Sequence, residues 1–129
     1  MFISHHHVMS LATSTKNELS VCSLFYVYDK KSKSFIVASS DTTLHISHIL
    51  QNKKIAGNIL LETQKVGEIQ GLQFRGEFLS LEEETLKEKY FESFPYAREM
   101  SPKLWHIQIN YFKLTDNALG FANKLILEI

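Results

Sequence analysis

Residues 69–81 limit the fold of this chain more than any other stretch. Apolar and polar side chains alternate there, with Leu72, Phe74 and Phe78 on one face and Gln73, Arg75 and Glu77 on the other. Such alternation marks a strand with one buried face, because successive side chains of a strand point to opposite sides. Gly71 and Gly76 interrupt the run, and glycine inside a strand marks a bulge or the close approach of another backbone. A long strand with glycine bends is what a small barrel needs to turn its corners.

The rest of the chain supplies partners for that strand. Residues 8–13 read as a first strand, preceded by His5, His6 and His7. Adjacent strand residues face opposite ways, so these three histidines cannot all converge on one metal ion. A hairpin connection at residues 15–18 leads to a second strand over residues 19–28. Val21, Ser23, Phe25 and Val27 lie on one side of it, and Cys22, Leu24, Tyr26 and Tyr28 on the other. Both sides are largely apolar, so each needs cover: the core on one side, and a partner, a ligand or another element on the other.

Phe35, Ile36 and Val37 form a short buried strand after a charged turn at residues 29–33. Ser40, Asp41 and Thr42 are helix-capping residue types, and a helix is expected over residues 42–52 with Ile46, Ile49 and Leu50 on one face. His45 and His48 share a side of that helix. With no Asp, Glu or Cys at ligand spacing, they read as surface or pocket residues rather than a metal site. A strand over residues 54–61 follows. Ser80 and Glu83 have capping-box spacing before a second helix, whose stripe is Leu86, Tyr90 and Phe94 and which Pro95 ends. Trp105, Ile107, Ile109 and Tyr111 alternate with His106, Gln108 and Asn110 in the last main strand. A turn at residues 115–117 and Gly120 precedes a short strand over residues 124–129. The expected fold is α+β, a six- to seven-stranded antiparallel barrel with two helices, in one domain over residues 1–129.

The polar corner between the short strand and the first helix is the candidate site. A helix N-terminus presents free N–H donors and partial positive charge, which suit a phosphate or carboxylate. Fourteen basic residues balance fourteen acidic ones, so the chain lacks the basic footprint of a nucleic-acid binder. The apolar runs are short, and residues 55–61 are broken by Gly57 and Asn58, which leaves no membrane span. Cys22 is the only cysteine, so neither an intrachain disulfide nor a cysteine zinc site is expected. No signal-peptide pattern stands at the start, which makes the cytoplasm the default location.

Several motifs then carry a resemblance. They are His7-Val8-Met9-Ser10-Leu11-Ala12-Thr13, Leu24-Phe25-Tyr26-Val27-Tyr28-Asp29 and Ile69-Gln70-Gly71-Leu72-Gln73-Phe74-Arg75-Gly76-Glu77. Phe94-Pro95-Tyr96-Ala97-Arg98 and Thr115-Asp116-Asn117-Ala118-Leu119-Gly120-Phe121 are the more distinctive ones. Over residues 6–126 the chain resembles the FMN-binding split barrels of the pyridoxamine 5′-phosphate oxidase-like superfamily, and within them the YhbP-like family. The resemblance implies a homodimer with two equivalent flavin sites at the subunit interface and a small-molecule substrate. It also implies that the corner receives the FMN phosphate. Thr43, Leu44 and His45 match a hydroxyl followed by two basic residues, and Tyr26 matches a position that is often lysine. Ser39 falls near the flavin ring, and Gln70 close to a ring-contacting glutamine.

With two cations missing, backbone N–H groups, Thr42, Thr43 and a protonated His45 would have to compensate. The expected function is an FMN-dependent oxidoreductase in which the flavin supplies the redox chemistry. That accords with a sequence in which no Ser–His–Asp set, paired carboxylates or metal cluster emerges. The alternatives are a non-catalytic dimeric scaffold with a decayed flavin site, or a haem-binding relative with a histidine as axial ligand.

Overall fold

The chain opens with one helical turn, α1 (Phe2–His5), followed by β1 (Val8–Ser14), β2 (Leu19–Asp29) and β3 (Ser34–Ala38). Helix α2 (Leu44–Gln51) leads into β4 (Lys54–Leu60) and β5 (Gln70–Ser80). Helix α3 (Glu84–Ser93) leads into β6 (Leu104–Asp116) and β7 (Lys124–Glu128). These elements come from a computed structural model, which describes residues 2–117 and 124–128. Gly120 and the end of the last motif lie outside the described residues.

The strands run in the order β3-β2-β1-β4-β5-β6-β7, and β3 also pairs with β6. Six antiparallel strands therefore close into a barrel with β7 as an extra strand, the α+β split barrel expected from the sequence. β6 serves two strands along one edge: its residues 104–108 pair with β3, and its residues 111–115 with β7. Phe35 is fully buried at the centre. Its ring meets those of Tyr26, Tyr28, Phe74 and Phe112 at centroid distances of 4.8–6.4 Å. Ile36 faces outward yet is equally buried, under a second cluster with Leu81, Tyr90, Ala97 and Leu104 that α3 helps to build. β3 is thus covered on both faces, which is why its apolar residues run without alternation.

Leu72, Phe74 and Phe78 point inward from β5 as its alternation predicts. The pairing passes from Arg75↔Tyr111 to Gly76↔Ile109, which leaves Asn110 as the extra residue of a bulge. A Cβ on Gly76 would run into the main-chain carbonyl of Gln108. The bulge reverses the phase of β6, and this corrects the expected alternation: Phe112 takes the inward place and Tyr111 turns outward, beneath the Arg75 guanidinium at 4.1 Å.

Other local expectations are also corrected. α2 starts at Leu44 with Thr43 as N-cap and no side-chain cap bond; Ser40 and Thr42 bond to each other instead, at 2.9 Å. The buried face of α2 is His45, Ile46, His48 and Ile49, and Leu50 is 73% exposed. The capping box does not form. Leu81 is drawn into the second cluster, so α3 begins later with Glu83 as an uncapped N-cap, and Ser80 Oγ donates to Glu82 Oε1 at 3.2 Å. His5 closes α1, and the His6 ring lies 4.3 Å from that of Phe2.

Phe35→Ala would remove the shared centre of the ring cluster. It should destabilise the protein by about 3–5 kcal/mol in urea unfolding; a loss below about 1 kcal/mol would mean that the cluster is not central to the fold.

Asp29 accepts from Ser32 N at 2.9 Å, from Ser32 Oγ at 2.5 Å and from Lys89 Nζ at 2.9 Å. The Ser32 bonds first, then Lys89, hold its carboxyl at about 2, below the ordinary 3.8. A depressed carboxyl contributes stability that is fully present above pH 3.8 and lost as the pH falls through about 2. Asp29→Asn should therefore cost about 1–2 kcal/mol at pH 7 and flatten the acid limb of a stability–pH curve between those values. Parallel curves for the two proteins would contradict it.

Candidate functional site

The polar corner is built where β3 runs one residue past its ladder. Ser39 N donates to Lys103 O at 3.0 Å, and the Trp105 indole Nε1 donates to Ser39 O at 3.0 Å. With its backbone held on both sides, Ser39 turns its side chain in phase with Phe35 and Val37, toward the end of the barrel. There its hydroxyl is in hydrogen-bond contact with His45 Nε2. Thr43 Oγ1 lies 3.3 Å from the same nitrogen and 3.5 Å from Ser39 Oγ. Thr43 already donates its one proton to Ser40 O at 2.9 Å, so toward His45 it acts as acceptor. The imidazole tautomer protonated at Nε2 satisfies both hydroxyl oxygens and leaves Ser39 free to donate.

Ser39 and His45 are both buried, and burial pushes the His45 imidazole below its ordinary value. Beside this cluster a cavity of about 610 Å³ opens between residues 38–42 and residues 100–103. Ser101 adopts a left-handed conformation (φ 46°) on the second wall. Lys103 Nζ stands 3.4 Å from Asp41 Oδ1 and 4.5 Å from the centre of the Trp105 ring. The N-cap Thr43 makes no side-chain cap bond, and a helix start left so offers backbone N–H donors.

Ser39, Thr43 and His45 are thus brought together. Thr42 lies exposed on the rim of the cavity, and Leu44 is 57% exposed. Tyr26 belongs to the core: its ring packs against Phe35 at 5.0 Å and its hydroxyl donates to Ile3 O at 2.5 Å. Burial pushes its phenol up. Gln70 sits at the other end of β5, where its Nε2 donates to Asp116 Oδ2 at 3.2 Å. Ser80, at the corner end of β5, pairs with Trp105, so about 33 Å of strand separates Gln70 from the corner.

Lys53 and Lys54 are the cations nearest to α2 in the sequence. Lys53 pairs with Glu77 at 3.4 Å, while Lys103 lines the cavity. Only closure of the barrel brings Lys103 opposite Ser39, and no local motif announces it. His48 is neither on the surface nor in the pocket. It is fully buried, with Nδ1 3.0 Å from Thr13 Oγ1 and Nε2 3.9 Å from Glu18 Oε2. Among the described residues no group of three or more His, Cys, Asp or Glu could hold a metal ion, and no helix is long and apolar enough to cross a membrane.

A groove of about 690 Å³ lies away from the corner, on the outer face of the sheet. Ser10, Ala12, Ala56 and Gly57 line it along with Arg75 and Lys113. Gly57 is in phase with the buried Ile55 and Ile59, and a Cβ there would collide with the inward-facing Phe74 ring and lie 2.6 Å from Ser10 O.

A closed six-stranded barrel with a polar strand–helix corner defines a split-barrel protein. No family model matches the chain. A UPF0306 protein of Klebsiella pneumoniae is 36% identical over 127 residues, covering 96% of this chain and 86% of its own length. The chain belongs to the UPF0306 family.

Solved structures share the fold at lower identity. A haem-binding protein from Mycobacterium smegmatis matches with a TM-score of 0.77 at 12% identity, over 98% of this chain and 54% of that one. A FAD-binding protein from Mesorhizobium loti matches at 0.72 and 13%, over 87% and 85%. A protein of Listeria innocua named as a candidate pyridoxamine 5′-phosphate oxidase matches at 0.66 and 15%, over 84% and 87%. The structural neighbours are thus split-barrel proteins of the pyridoxamine 5′-phosphate oxidase-like kind.

In the free protein His45 should be neutral at pH 7 and titrate below 6.5. The unfolded chain then takes the proton first as pH falls, so this site withdraws stability below pH 6.5 and is silent above it. NMR titration of the imidazole reads the midpoint directly; a value at or above 6.5 would refute the burial argument.

Proposed function

We propose that the chain is an FMN-binding oxidoreductase of the pyridoxamine 5′-phosphate oxidase-like type, YhbP-like in its motifs. In this reading the flavin lies at a homodimer interface in the cytoplasm and the substrate is a small molecule. The observation that carries the proposal is the convergence of Ser39, Thr43 and His45 beside an open cavity at an uncapped helix N-terminus. The donor set fits a phosphate ester, which carries close to two negative charges and accepts several strong hydrogen bonds. Flavin and haem both appear among the ligands named for the structural neighbours. A corner of hydroxyls and N–H groups suits the phosphate of FMN.

When bound, the flavin would supply the acceptance and donation of electrons. The chain's part is to hold and orient it. Ser39 and Thr43 keep the imidazole edge turned toward the corner, and His45 takes up a proton when an anion arrives. Gln70 is too far from this corner for one protomer to place both against one flavin. A second copy in an antiparallel arrangement could bring its own Gln70 there. Leu19, Val21 and Phe25, at 88%, 72% and 55% exposure, form an apolar patch on β2 that supports such a contact. The competing reading is a dimeric scaffold whose site has decayed. What favours it is the exposed Leu44 and the buried, uncharged His45 where the superfamily has permanent cations.

A visible spectrum of the purified protein, before and after adding FMN, tests the proposal most directly. Flavin absorbance is expected, with FMN bound far more tightly than riboflavin and a light-scattering mass near twice 14.9 kDa. Because a dianion favours the imidazolium, FMN affinity should be highest at acidic pH, fall as pH rises through the free-protein pKa of His45, and level off above that of the complex. His45→Lys should tighten binding at pH 8. Equal affinity for FMN and riboflavin, or a monomer, would count against this function.

A further inference from the structure

The geometry points to Lys103 as the permanent cation of the corner, parked on Asp41 in the free protein and transferred to the ligand's phosphate on binding. This assignment rests on the flavin reading above and adds to it a residue, an element and a means of setting affinity. Lys103 is fixed opposite Ser39 by register: β3 and β6 pair from Ser34↔Gln108 to Ala38↔Leu104, and the Ser39 N to Lys103 O bond of 3.0 Å extends the ladder by one step. The side chain is guided as well. Its ammonium lies 4.5 Å from the centre of the Trp105 ring, a face that attracts cations. Trp105 is itself buried and bonded to Ser39 O. The backbone and the side chain of Lys103 are therefore both referred to the residue that forms the corner.

Leu44 and His45 leave the first turn of α2 without a fixed charge, and among the described residues Lys103 is the only lysine or arginine that lines the corner cavity. Asp41 lines the same cavity and would repel an incoming dianion. Its present partner is Lys103, at 3.4 Å, in a pair whose side chains are 47% and 63% exposed. A pair so open to water contributes little, whereas a phosphate dianion offers Lys103 more charge and more acceptors. Binding exchanges one ion pair for a stronger one, so Asp41 lowers affinity without abolishing it. The arrangement selects phosphate esters over uncharged sugars and makes their binding depend on salt.

Fluorescence-quenching titrations with FMN and with riboflavin test this on the intact protein. Lys103→Ala should weaken FMN binding by about ten- to a hundredfold, the worth of one charged hydrogen bond, and leave riboflavin unchanged. Lys103→Arg should retain most of the affinity, as loss of charge rather than loss of packing predicts. Asp41→Asn should tighten FMN binding several-fold at low salt. Lys103→Gln replaces the alanine variant if thermal melting shows that the latter does not fold. Unchanged FMN affinity in Lys103→Ala or Lys103→Gln, with Ser39→Ala weakened, overturns the assignment and leaves the flavin reading standing. Unchanged affinity in Asp41→Asn overturns the exchange. A wild-type protein that binds FMN no better than riboflavin overturns both this assignment and the phosphate corner.

Discussion

The pairing of β3 with β6 is the interaction on which the rest of this structure depends. β3 is short, and with β2 alone beside it, its other edge would stand open and the Phe35 cluster would lose one wall. Pairing with residues 104–108 closes the ring of strands. It sets Ile107 and Trp105 against Phe35 and Val37, and gives α3 a seam to cover through Ile36 and Leu104. The hydrogen bonds of the ladder are individually modest. They matter because they hold apolar residues on both faces of one strand, where each buried aromatic or branched side chain contributes on the order of 1.5–3 kcal/mol.

The same closure makes the candidate site. Ser39 N and O find their partners only on the β6 side, and those bonds aim its hydroxyl at His45. A single registration thus fixes the core, the hydroxyl–imidazole cluster and the position of Lys103. A slip of one residue would turn Phe35 outward, carry Ser39 away from His45 and move Lys103 from the cavity wall.

Much of this was legible in the sequence because it rests on local periodicity. The alternation around Leu72, Phe74 and Phe78 places them inward without any knowledge of their partners. The continuous Phe35-Ile36-Val37 run reads as a buried strand, and the structure buries all three residues. What failed did so where a distant contact overrode a local pattern. The bulge at Asn110 exchanges Tyr111 for Phe112, and only the pairing with Gly76 reveals it. The capping box at Ser80 loses to the burial of Leu81. Ser39, Thr43 and His45 could be drawn together from one short stretch of chain. Lys103 could not, because what makes it part of the corner is the β3–β6 pairing and nothing in its own neighbourhood.

The fold divides its two tasks between regions of different physical character. The barrel interior is apolar and ring-packed, insensitive to salt, and disturbed by pH chiefly at its margin, where Asp29 and His45 sit. The corner is assembled from hydroxyls, one imidazole depressed by burial and one weakly committed ion pair, each of which water or an anion can reorganise at small cost. Such a corner does not present a fixed block of positive charge. In the proposed binding, its charge would develop in response to the ligand, through proton uptake at His45 and the release of Lys103 from Asp41. A site built in this way forgoes some affinity in the free protein. In return, the strand that forms the corner, which is also the strand that closes the barrel, need not carry unpaired cations beside the buried core.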